Sequence, residues 1–234
     1  MRTFLLAGAA MTVATVAVAA PIPFTHSTSN GISYKTNEIS EFNTGGDDMD
    51  GLLVTAFFGG GGSETVSFLS GVIGDDAGAA SGTGWSLTFT GPTTFSGTWT
   101  LATTDVRLTG LLLEGQPGKT VFDYIRSPDT TPGSESGGPG SPNGPDSVDS
   151  SFAGLEADFR YSNRVALGTT FFGDLFERLR ITFNGAMGAG NTFSFVTDTD
   201  NAVGDIILVP EPAAIGLFGL GLLAVGVARR RRAA

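Results

Sequence analysis

A single histidine, His26, and the absence of cysteine set the first limit on what this 234-residue chain can do. A Ser-His-Asp triad or a Cys-His dyad needs an imidazole held in the core, and His26 stands close to the N-terminal end. Zinc sites built on histidine or cysteine fail for the same reason. Neither Lys35 nor Lys119 lies in a Ser-x-x-Lys pattern. Gly118-Lys119-Thr120 resembles the end of a phosphate-binding loop, but that pattern needs a glycine where Leu113 stands and a helix afterwards. The residues that follow, Val121-Phe122-Asp123-Tyr124, read as a strand. The run Gly59 to Gly62 has no lysine after it and reads as a hairpin turn.

Carboxylates are the remaining chemistry. Glycoside hydrolysis needs two placed acids, one with its pKa raised by an apolar setting. Glu156, Asp158, Asp174 and Glu177 could serve, and composition does not select a pair. Calcium takes six to eight oxygens from carboxylates, amide carbonyls and backbone. Asp47, Asp48 and Asp50 crowd one expected turn, and Asp198, Asp200 and Asn201 crowd another. Neither is an EF-hand. With Gly51 as the loop glycine, ligand positions fall on Gly46 and Phe57, and from Asp198 the fifth position is Ala202. The expectation is no cofactor and solvated turn residues chosen for turn geometry, with calcium at one of these clusters as the alternative.

The elements that must position these acids are strands. Trp85, Leu87 and Phe89 alternate with Ser86, Thr88 and Thr90; after the Gly91-Pro92 turn, Phe95, Trp99 and Leu101 alternate with Ser96, Thr98 and Thr100. This predicts a hairpin with both tryptophans on its core face. Leu52 to Phe58 and Glu64 to Leu69 predict a second hairpin around Gly59 to Gly62. Further strands are expected at Val106 to Leu113, Thr120 to Ile125, Leu155 to Tyr161, Leu175 to Phe183 and Thr192 to Val196. The Leu175 stretch also fits a helical face, but Leu179, Ile181 and Phe183 alternate and favour a strand. Residues 127–150 are almost wholly Ser, Pro, Gly, Asp and Asn, which predicts a long surface loop or a linker between two units. About nine or ten strands with frequent turn signals predict an all-β fold: an antiparallel β-sandwich or jelly-roll-like core over residues 20–208.

The two ends differ from this core. Met1-Arg2, an apolar run to Ala20 and the small residues Ala17 and Ala19 predict a signal-peptide helix over 1–19, removed by signal peptidase after export. At the other end Val209-Pro210-Glu211-Pro212 precedes an unbroken apolar stretch, 213–228, and then Arg229, Arg230, Arg231 and Arg232. As a helix, that stretch spans roughly 24 Å, short for a hydrocarbon core of about 30 Å. The four arginines would stay on the cytoplasmic side and act as a stop, leaving the middle outside. Arg2 and the four terminal arginines are five of the 13 basic residues, and Glu211 is one of the 23 acids. The middle therefore holds 22 acids against eight bases. Such a surface excludes nucleic acid as a partner and suits cations or weakly charged polymers.

The Pro-Glu-Pro triplet, short apolar helix and arginine cluster, in that order over 209–234, resemble the PEP-CTERM sorting signal of exported proteins in exopolysaccharide-producing Gram-negative bacteria. The resemblance implies processing by an exosortase, transient anchoring in the inner membrane by the helix, and delivery to the cell surface or beyond. The middle also resembles a group found among such proteins. That likeness rests on Asp48-Met49-Asp50-Gly51, Thr120-Val121-Phe122-Asp123, Thr131-Pro132-Gly133-Ser134, Tyr161-Ser162-Asn163, Gly173-Asp174-Leu175-Phe176 and the run from Phe195 to Asn201. It implies an architecture and a location, with no activity attached. The expectation is a non-enzymatic surface or matrix protein associated with exopolysaccharide or biofilm, the alternative being an extracellular carbohydrate-active enzyme using a carboxylate pair.

Overall fold

The computed structural model describes residues 22–29, 31–41, 44–71, 76–124 and 144–209. The expected signal peptide, most of the expected loop, and the expected sorting segment from Pro210 onward lie outside the described residues.

Among the described residues seventeen strands follow one another, joined by turns and two single-turn 3-10 helices at Gly46–Asp48 and Gln116–Gly118. They are β1 Phe24–Thr28, β2 Ser33–Thr36, β3 Ile39–Glu41, β4 Leu53–Phe58, β5 Ser63–Ser67, β6 Leu69–Ser70, β7 Ala77–Gly82, β8 Trp85–Thr90 and β9 Thr98–Thr103. Then come β10 Leu108–Glu114, β11 Thr120–Asp123, β12 Asp146–Ser150, β13 Ala157–Leu167, β14 Thr170–Met187, β15 Thr192–Val196, β16 Asp198–Ala202 and β17 Ile207–Val209. The smaller sheet runs β12-β15-β9-β8-β7-β6, antiparallel throughout. The larger runs β17-β2-β13-β14-β10-β4-β5, with β1 beside β13, and β11, β16 and β3 continuing from β14. Its two parallel pairings, β1 and β2 on β13, make it mixed rather than purely antiparallel.

The two sheets pack face to face, as the alternation requires. Trp85, Leu87, Phe89, Trp99, Leu101, Phe193 and Phe195 from the smaller sheet share one buried cluster with Val54, Leu111, Leu113, Phe159, Tyr161, Leu179, Ile181 and Phe183 from the larger. Rings cross the interface: Phe159 meets Phe195 edge-on at 5.7 Å and Phe183 meets Phe193 at 5.1 Å. The buried polar tips are satisfied, since Trp99 Nε1 donates to the Thr197 carbonyl at 3.3 Å and the Tyr161 hydroxyl pairs with Thr197 Oγ1 at 2.8 Å. Burial pushes the Tyr161 phenol well above its ordinary pKa, so it stays neutral.

A second, smaller core lies on the other side of the larger sheet. Tyr34, Ile39, Val121, Val165, Leu175, Ala202 and Ile206 form it. Neighbouring residues therefore serve different cores: Leu175 and Val121 the small one, Phe176 and Phe122 the main one. Asn163, at φ 63°, marks the point on β13 where the strand turns from one core to the other.

The hairpins and the strand reading of 175–183 hold, with β14 far longer than expected. Phe95 does not join the core: it is exposed, and β9 begins only at Thr98. The last five residues of the expected loop form β12, which pairs with β15. Strands from both sides of that segment share both sheets, so it does not separate two units.

Candidate functional site

The described chain leaves the sandwich through β17, an edge strand. Ile207, Leu208 and Val209 pair antiparallel with Lys35, Tyr34 and Ser33 of β2. Ile206 is buried in the small core and anchors the strand from behind. Ile207 and Leu208 are 52% and 49% exposed. Beside β17 lies a groove of about 490 Å³, whose opposite wall is the turn at Gln116, Pro117 and Lys119. Pro210 follows directly and has no N–H to donate to the ladder.

A polar network fixes β2 against the rest of the sheet. Glu177 is 1% exposed; its Oε2 accepts from Asn163 Nδ2 at 2.8 Å and lies 3.1 Å from Arg178 Nε in an ion pair. Arg178 also pairs with Glu114 across the β10–β14 ladder. Asn163 Oδ1 accepts from the Ile32 N–H at 3.2 Å, which ties down the residue before β2. A side chain on Gly31 would meet Asn163 Oδ1 at 2.4 Å, and its φ of +31° disfavours other residues as well. Burial raises the Glu177 pKa, opposed by the Asn163 hydrogen bond and then by the charge of Arg178. Tyr34 is likewise raised, by burial and then by the charge of Glu177. None of these roles is legible from spacing. Glu177 stands between Phe176 and Arg178, and the αL backbone of Asn163 shows only in the structure.

The two acidic clusters fare differently. Asp48 Oδ2 accepts from the Gly45 N–H at 2.8 Å and Asp50 Oδ1 from the Ser70 N–H, so both cap backbone. Asp47 lies beside them in the Gly46–Asp48 turn. Asp198, Asp200 and Asn201 are not in a turn: they form β16, paired between β11 and β3. Asp198 accepts from Thr94 Oγ1 at 2.9 Å and the Thr199 N–H at 3.0 Å. Asp200 is 1% exposed, and its Oδ2 has no hydrogen-bond partner. Burial lifts Asp198 to about 7; burial, then Asp198 and Asp174, lift Asp200 to about 8. Both are thereby protonated in mildly acid solution, the usual response of a carboxyl withdrawn from water. Among the described residues no three acidic or histidine side chains are arranged to hold a metal ion.

The four acids named for hydrolysis separate into pairs. Glu156 and Asp158 line a cleft of about 410 Å³ with Phe24, Thr25, Thr182 and Asn184. Asp174 and Glu177 are buried. His26, close to the N-terminal end in sequence, stands in β1 opposite Phe159, with its ring 5.5 Å from that of Tyr124.

A third feature is the outer face of the smaller sheet. Strands β7, β8, β9 and β15 contain no charged residue. Thr88 stands opposite Thr100, which stands opposite Ser194; Thr90 stands opposite Thr98. A groove of about 970 Å³ beside this sheet is lined by Ser67, Ser70, Ser81, Thr88 and Thr90 together with Val66, Leu69, Phe89 and small residues, again without a charge.

A family model for the PEP-CTERM protein-sorting motif matches residues 208–232. The match begins at Leu208, inside β17, and takes in Val209, Pro210, Glu211, Pro212 and the four arginines. The chain is therefore an exported, cell-surface-directed protein with an exosortase as its processing partner. Signal cleavage at Ala17 and Ala19 falls outside the described residues. Comparison with curated proteins and with solved structures returns no match.

Proposed function

We propose that this protein is a non-enzymatic component of the cell surface or extracellular matrix that associates with exopolysaccharide once its tail has been processed. One observation carries the reading: an exported sandwich with a large excess of acids keeps one broad face uncharged and covered with hydroxyl and methyl groups. Such a face attracts neither cations nor anions, and its Ser and Thr hydroxyls can exchange hydrogen bonds with a neutral, hydroxylated polymer. Export through the signal peptide, transient anchoring by the 213–228 helix and release by the exosortase belong to the same proposal. The test is co-sedimentation of the processed protein with the host's own exopolysaccharide. Binding that persists at high salt is expected; absence of binding at any salt defeats the reading.

A second reading rests on the cleft at Glu156 and Asp158, the one place among the described residues where two of the named acids share a cavity. There the protein would hydrolyse a carbohydrate, one carboxyl donating a proton and the other acting as base or nucleophile. Release of reducing ends from the same polymer, lost in both Glu156→Gln and Asp158→Asn, would establish it. Calcium belongs to the proposal only at Asp198, Asp200 and Asn201, where a buried carboxylate oxygen has no partner.

A further inference from the structure

The sorting motif and the folded domain share residues. Leu208 and Val209 lie in the matched motif and in β17 at once. The enzyme that reads this tail consequently meets the substrate with a β-strand of the sandwich immediately before Pro210-Glu211-Pro212.

That strand shares its lack of carboxylates, lysine and arginine with the edge strands β1 and β6, but of the three it alone runs into the sorting motif. Exposed edges invite pairing with other chains, and proteins blunt them with charge, proline or brevity. Here β5 carries Glu64 and β12 carries Asp149. Strand β17 carries Ile-Leu-Val and no charge. It ends the strand order, so β2 occupies one side only. Beside it lies the groove of about 490 Å³, lined by Asp205, Ile206, Ile207 and Leu208 together with Gln116, Pro117 and Lys119. An uncharged, half-exposed edge strand with a groove beside it is the arrangement into which a partner adds a strand of its own.

We propose that β17, still paired with β2, is the landing strand for the exosortase. A segment of the enzyme adds to the free edge of β17 in the groove, with Ile207 and Leu208 as apolar anchors, and this fixes the register in which Pro210-Glu211-Pro212 enters the enzyme. The folded domain then takes part in its own sorting, and a chain whose β2–β17 pairing has not formed is a poor substrate. The inference rests on the sorting motif, and its continuity with β17 is what identifies the occupant.

The test follows precursor and processed forms by pulse-chase in cells that carry the exosortase, using the full-length chain. Ile207→Asp should slow processing about tenfold while the melting temperature of the purified protein stays within a degree or two, because Ile207 is half exposed. Leu69→Asp, at the most exposed large apolar residue and on the other sheet, should be processed at the normal rate. Lys35→Pro, which disrupts the β2 position opposite Ile207, should also slow processing. Faster processing of Lys35→Pro would mean that the strand must leave β2 and would overturn the proposal. Normal processing of Ile207→Asp would overturn it too. A defect in Ile207→Asp that vanishes with purified exosortase in detergent would assign the apolar pair to the bilayer instead. Glu211→Ala separates the two levels: if it blocks processing while Ile207→Asp does not, only the landing strand is wrong. If Glu211→Ala is processed normally, the reading of the motif itself fails.

Discussion

The two sheets of this sandwich are built from different chemistry. The smaller is antiparallel, regular and uncharged over four adjacent strands, and its residues alternate between core and outer face. The larger is mixed, bulged and twisted around a second core. It holds Glu177, Arg178, Asp198 and Asp200, together with the strand that leads to the sorting motif. The difference teaches that regularity and polar burial are separated here. The smaller sheet offers a plain surface, and the larger carries the irregular, polar work of holding β2, β16 and β17 in place. Polar groups inside a fold are costly unless satisfied, so concentrating them in one sheet leaves the other free to be simple.

The largest test of the comparison removes what joins the sheets. Trp99 is fully buried and its ring contacts Phe68, Phe89 and Phe195. Trp99→Ala should cost roughly 3–5 kcal/mol in a denaturant titration; a loss below about 1 kcal/mol would mean that the sheets are held elsewhere.

Next comes the buried acid pair. Folded-state pKa values of about 7 and about 8, against an ordinary 3.8, mean that the unfolded chain releases protons which the fold retains. Stability from this pair is therefore greatest below pH 4, falls as pH rises to about 8, and is level above that. Asp200→Asn should flatten the decline, by up to about 1.4 kcal/mol per pH unit where Asp200 titrates. Melting curves from pH 4 to 9 will show this, and an unchanged slope would place Asp200 in contact with water. Calcium offers a sharper version. If Asp198, Asp200 and Asn201 bind it, chelator lowers the melting temperature at pH 8 and much less at pH 5; no shift at pH 8 removes calcium.

A charge on the plain sheet tests its proposed use. Thr90→Glu should reduce co-sedimentation with exopolysaccharide several-fold while changing stability by no more than about 0.5 kcal/mol. Arg160→Gln, at an exposed position of the larger sheet, should leave binding unchanged. Equal losses from both would erase the functional distinction between the sheets.

The smallest effect concerns the bridge at their margin. Glu64 of β5 accepts from Trp85 Nε1 of β8 at 2.8 Å and from the Thr83 N–H at 2.8 Å. These bonds hold its carboxyl below the ordinary range, the Thr83 bond first. Its contribution is present above pH 4.5 and lost as pH falls, opposite in sign to that of Asp198 and Asp200. Glu64→Gln should give a slightly lower melting temperature at pH 7 and no difference at pH 3.

How far all this could be read in advance depends on the source of the signal. Strands β4, β8, β9, β10, β14 and β15 were legible because alternation of Trp, Leu, Phe and Ile with Ser and Thr is a local consequence of one face being buried. Strand β7, Ala-Gly-Ala-Ala-Ser-Gly, has no such residues. It is a strand because β6 and β8 flank it and the ring of Phe68 fills the space over Gly78. Strand β16, Asp-Thr-Asp-Asn-Ala, reads as a turn and becomes buried only because β11 and β3 close on it. The parallel pairing of β1 and β2 with β13 joins segments more than 120 residues apart, which no local pattern announces.

The sequence by itself determined the export and sorting address, since a linear tail is recognised as a string of residue types. It also determined the class of fold, because period-two burial is written residue by residue. The tertiary structure alone decided which acids face water and which are buried, and that the motif begins inside a paired edge strand rather than after it. Those outcomes depend on contacts between distant segments, where burial and desolvation, not residue type, set the energy of a carboxyl or the freedom of an edge.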